Sequence, residues 1–117
     1  MFKIPEIFEK LKKNLSQDLL LPKYKDGKHP LSGYCYIVSE ALYHILGGKI
    51  EGLTPMFIKH ENINHWWIRG PKSEIWDFTA NQFNKTIDYS KSVPKGFLTK
   101  TPCKRTQLLL QRSGFEV

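Results

Sequence analysis

Apolar residues recur at Ile4, Ile7, Phe8, Leu11 and Leu15, with Glu6, Glu9, Lys10, Lys12 and Lys13 on the opposite side. The spacing is helical, and Pro5 suits a first helical residue, because the N–H it lacks is one that a helix start leaves unpaired. The pattern predicts a surface helix laid on the core. Ser16 is placed to cap a further short turn through Leu19 and Leu20 that ends at Pro22. Residues 22–33, PKYKDGKHPLSG, are dense in proline, glycine and an Asp-Gly pair, which predicts an ordered loop too short to separate domains.

Val38, Ala41, Leu42, Ile45 and Leu46 then form one helical stripe, closed by Gly47-Gly48, where a positive φ is wanted just past a helix end. Ser32 or Gly33 is the expected cap, so Cys35 falls in the first turn. LTPMFIKH, residues 53–60, reads as a strand with Met56 and Ile58 on one side and Phe57 and Lys59 on the other; Pro55 belongs at its start or on an edge. A turn over residues 61–64 delivers the chain to HWWIRGPKSEIWDFT, two aromatic-rich strands joined at Gly70-Pro71-Lys72. A three-residue loop there pairs Arg69 with Ser73, Trp67 with Ile75 and His65 with Asp77; a four-residue loop would set His65 against Phe78 and turn Asp77 to the other face. The three-residue register is the expectation. Beyond Thr79 the chain reads as mostly irregular, anchored by Phe83, Ile87, Tyr89 and Phe97, before Thr101-Pro102 opens a last helix that ends near Gly114.

These elements predict an α+β fold in a single domain over residues 1–117, with the Cys35 helix packed on a small antiparallel sheet. The length supports one core, and an aromatic content of 13% can fill it. No apolar run approaches the roughly 20 residues that span a membrane, so no membrane partner is expected. The first fifteen residues lack the apolar block and cleavage site of a signal peptide, which makes the cytoplasm the expected location. Cys35 and Cys103 are expected to be reduced there. The net charge of +7 comes mostly from lysines spread along the chain and favours weak attraction to nucleic acid or anionic surfaces, while a solvated surface is the plainer and favoured account of it.

The candidate chemistry follows chain order: thiol, imidazole, carboxylate. A thiol attacks a carbonyl carbon as thiolate, a histidine serves as its base, and a carboxylate fixes the histidine's tautomer. Cys35 on a helix start, His65 on one strand and Asp77 on the next would hold those groups on rigid elements, with the helix N-terminus favouring the thiolate. An oxyanion would meet the Cys35 N–H and a side-chain donor, for which His29, Tyr34 and Asn64 are candidates; Trp66 and Gln82 join them as candidate substrate contacts. Each residue also has a plainer role, Cys35 as a small core side chain, His65 as a strand-end polar group, and the tryptophans as core. Glu40 is read as a buried partner of Arg69 or Lys104, or as solvent-facing. Lys104 and Arg105 in the first turn of the last helix oppose its dipole, which points to an anionic partner or to simple solvation.

The phrases GYCY, HWWI and IWDFTANQF, in that order, resemble the papain-like superfamily in its compact form, especially transglutaminase-like and NlpC-type enzymes. Transglutaminase-like domains similarly carry the aspartate in a Trp-x-Asp-Pro-Thr phrase; Phe78 stands here in the proline's place. GYCYIVSEALYHILGG with HWWI, DFTANQF and TPCKR is also similar to small bacterial and phage proteins of the YunG-like type, over residues 14–112. The resemblance implies a compact papain-like core, with Cys35, His65 and Asp77 as the triad of a cysteine hydrolase or acyltransferase acting on an amide or thioester, such as a peptide or protein, without a cofactor. Two alternatives remain at this level. A zinc site from Cys35, His65, Asp77 and Cys103 lacks any CxxC or HxxxH spacing. The other is an inactive scaffold that serves as a basic nucleic-acid- or protein-binding module.

Overall fold

The computed structural model describes residues 3–20, 33–80, 83, 85–97 and 100–115. Among these residues, three α-helices, α1 (Ile4–Lys13), α2 (Cys35–Ile45) and α3 (Lys104–Arg112), accompany a four-stranded sheet of β1 (Thr54–His60), β2 (Ile63–Arg69), β3 (Ile75–Trp76) and β4 (Val93–Pro94). The strand order is β3-β2-β1-β4, and every neighbouring pair is antiparallel. The α+β expectation holds, with the Cys35 helix on an antiparallel sheet. The expected 22–33 loop lies outside the described residues apart from Gly33.

The sheet is covered on both faces, because its strands alternate apolar residues to each side. Ile68 joins the larger core with Ile37, Val38, Ala41 and Leu42 of α2, Ile7 and Leu11 of α1, and Leu109 and Leu110 of α3. Met56, Ile58 and Trp67 point the other way and pack with Ile87, Phe83 and Tyr89 in a smaller core. The β1–β2 register places Ile58 opposite His65 and Met56 opposite Trp67, so His65 belongs to the smaller core's face.

Two turns differ from expectation. The β1–β2 connection is the two-residue Glu61-Asn62, both with positive φ (50° and 62°), so β2 begins at Ile63 rather than His65. Positive φ at both central residues matches the right-handed twist of the flanking strands. The β2–β3 loop is three residues long but shifted by one: Gly70 N–H donates to Glu74 O at 3.0 Å, Ser73 takes φ of 64°, and Arg69 faces Ile75 rather than Ser73. β4, read as irregular chain, adds an edge strand through Met56–Pro94 and Phe57–Val93, at a position where a proline's missing N–H costs nothing.

α2 starts at Cys35 with Tyr34 as its cap residue and no capping side chain, in place of the expected Ser32 or Gly33. α3 is capped from another helix. Glu40, wholly buried in α2, accepts the Cys103 N–H at 2.9 Å and the Tyr36 hydroxyl at 3.4 Å, not a bond from Arg69 or Lys104. A carboxylate there meets the positive end of α3's dipole. Arg105 donates to Leu19 O at 3.0 Å, which gives that cation a backbone acceptor. The far end of α3 closes on Gly114 (φ 83°), with Phe115 N–H bonded to Leu110 O and Gly114 N–H to Gln111 O.

Candidate active site

His65 lies third along β2 and is wholly buried. Its Nε2–H donates to Asp77 Oδ2 at 2.6 Å, and the Asp77 side chain is only 2% exposed. Asp77 follows directly on β3. Continuing the observed register places it level with Trp67, two residues from His65 and on the same face, close enough for a diagonal contact. The register thus differs by two residues from the expected one, and the contact survives because two is the pleat's period.

Asp77 is held by further bonds. Oδ1 accepts the Thr79 N–H at 3.2 Å, and Oδ2 also accepts the Tyr89 hydroxyl at 2.9 Å. Phe83 stands edge-on to the imidazole at 4.8 Å between centroids. Tyr89 and Phe83 read in the sequence as apolar anchors alone. Their roles here depend on contacts 12 and 18 residues away, which no local pattern announces.

Cys35, the first residue of α2, is 6% exposed, and its thiol donates to Asn64 O at 3.6 Å. Nδ1 of His65 makes no hydrogen bond, and the Cys35 sulfur lies near enough to act on the ring. Burial pushes the imidazole pKa down, but the hydrogen bond to Asp77, the nearby Cys35 sulfur and the charges of both raise it to about 9. At neutral pH the ring is therefore an imidazolium, with a carboxylate on one nitrogen and the Cys35 sulfur on the side of the other. Among the described residues, the earliest bond of α2 runs from Val38 N–H to Tyr34 O, as a helix start leaves its first N–H groups without intrahelical acceptors.

The remaining candidates separate. Asn64 touches the sulfur, through its backbone carbonyl. Tyr34 is buried in the larger core, and burial, then the Asp18 charge, raise its pKa. Trp66 is buried on the α2 face among Tyr36, Phe57 and Phe97, with Lys95 Nζ 5.8 Å from its centroid. Trp67 is buried and Trp76 partly so. His29 and Gln82 lie outside the described residues. Cys103 is free and contacts Thr106 Oγ1 at 3.3 Å.

Among the described residues, no group of three or more His, Cys, Asp and Glu side chains has the arrangement to hold a metal ion. A cavity of about 500 Å³ lined by residues that include Tyr43, His44, Lys49 and Phe97 contains none of Cys35, His65 and Asp77. No described helix is long and apolar enough to cross a membrane. No protein-family profile, curated protein or solved structure matches the chain.

Proposed function

We propose that the chain is a papain-like cysteine hydrolase or acyltransferase acting on an amide or thioester, with Cys35 as nucleophile, His65 as general base and acid, and Asp77 as the orienting carboxylate. The observation that carries this reading is the buried 2.6 Å bond between His65 Nε2 and Asp77 Oδ2, on a ring whose other side is approached by a thiol at a helix start.

In the proposed reaction the Cys35 proton already resides on His65 Nδ1, and the thiolate of that ion pair attacks the carbonyl carbon. A C–S bond forms as the carbonyl π pair moves to oxygen, where the Cys35 N–H can meet it. The oxyanion collapses and expels the amine or thiol, which takes the proton from His65. Water, or an acceptor amine in a transferase, then gives its proton to His65 and displaces Cys35 as thiolate. Substrates would be peptides or proteins bearing an accessible acyl group, no cofactor is required, and a reducing cytoplasm suits the two free thiols.

The test is iodoacetamide labelling of Cys35 in a Cys103→Ser background from pH 5 to 10. Labelling at near-neutral pH should exceed that of an ordinary exposed thiol and fall at least ~10-fold in His65→Ala; a wild-type rate no faster than the ordinary thiol overturns the reading. The net charge of +7 motivates a second reading, a basic scaffold that binds nucleic acid or a protein. That reading predicts an inert thiol together with nucleic-acid binding that weakens steeply with salt.

A further inference from the structure

Residues 85–94 cross the sheet face that carries His65. Ile87 is buried there, Tyr89 opens a single 3-10 turn (Tyr89–Lys91), and Val93–Pro94 pair with β1. Asp88 caps the turn by accepting the Ser90 N–H at 3.2 Å, and Ser92 Oγ accepts from Trp67 Nε1 at 2.9 Å, so Tyr89 is anchored on both sides. Its ring meets Trp67 edge-on at 5.0 Å, which aims the hydroxyl at Asp77 Oδ2, 2.9 Å away. That oxygen is the one bonded to His65 Nε2.

We propose that Tyr89 is a positioning residue of this site: by sharing Asp77 Oδ2 with His65, its hydroxyl fixes the carboxylate and limits how strongly that carboxylate holds the imidazolium. An oxygen that serves two donors lends less of its charge to each, so losing one strengthens the bond to the other. Burial, then the charge and hydrogen bond of Asp77, keep the phenol protonated well beyond the usual tyrosine range, so it remains a donor at neutral and mildly alkaline pH. Among the described residues, the titratable groups acting on His65 are Cys35 from α2, Asp77 after β3 and, through Asp77, Tyr89; His60, on the same face of β1, meets the same Phe83 ring edge-on. Ile58 on β1 and Phe83 supply apolar contacts.

The catalytic consequence rests on the proposed enzyme function, but the linkage itself does not. The experiment is an NMR titration of the His65 imidazole in the wild type, Tyr89→Phe and Ser92→Ala. Tyr89→Phe keeps the ring on Trp67 and should raise the His65 pKa by ~0.5 to 1 unit. Ser92→Ala frees Trp67 Nε1 on the same segment and should leave it unmoved. An unchanged or lower value in Tyr89→Phe, or an equal rise in Ser92→Ala, overturns the inference. The alkaline limb of Cys35 labelling should follow the NMR shift. A shift in the titration with a thiol inert in every variant would sink the enzyme reading and leave Tyr89's role standing.

Discussion

His65 and Asp77 meet on the diagonal of the β2–β3 ladder, with Asp77 just past the last paired residue of β3 and 2.6 Å from the imidazole. Both side chains are shielded from solvent, and the imidazole keeps its charge there through the carboxylate. The His65 pKa is raised from 6.5 to about 9 in the folded chain, so its stabilising contribution is complete below pH 6.5 and is lost as the pH rises through about 9. Urea unfolding between pH 6 and 10 should show that alkaline loss. In Asp77→Asn, burial is no longer opposed by a carboxylate, and this histidine's alkaline loss should vanish while stability at pH 6–7 falls by about 3 kcal/mol.

Glu40 offers a second measurement. Its side chain is wholly buried and joins α2 to the start of α3 through the Cys103 N–H. Glu40→Ala would leave that N–H and the Tyr36 hydroxyl without the carboxylate and open a void, at a cost of about 2–3 kcal/mol in the denaturant midpoint. Glu40→Gln retains an acceptor oxygen and should lose less than half as much.

The end of α2 supplies a third. Gly47 has φ of 94°, and a Cβ built on it would lie 2.5 Å from Glu51 Cγ. Gly47→Ala should therefore lower stability by about 1–2 kcal/mol. The labelling rate of Cys35, at the opposite end of the helix, should be unchanged under native conditions.

Much of this arrangement is legible in the chain itself. The apolar stripe from Val38 to Leu46 defines α2 and thereby puts Cys35 at its start, and period-two alternation assigns Met56 and Ile58 to one face. Less visible is anything decided by turn geometry without its usual residues. Glu61-Asn62 adopts positive φ at both positions with no glycine, and Ser73 does so in the next loop, so the start of β2 and the register of β3 were both displaced from expectation. β4 is two residues long and contains a proline, and it exists only because β1 offers an edge. Tyr89 could not be read as a partner of Asp77, because that contact depends on how residues 85–94 cross the sheet.

The sheet's two covered faces have a consequence for how this site can fail. The sulfur arrives with α2 over the face that carries Trp66 and Ile68, whereas imidazole and carboxylate are seated in the packing around Ile58, Trp67 and Ile87. The groups come together only around the rim of the sheet, beside Asn64. Damage beneath α2 would shift the sulfur alone, and damage around Ile87 would shift the other two in concert, so alignment is governed by two separate hydrophobic cushions that can be perturbed independently.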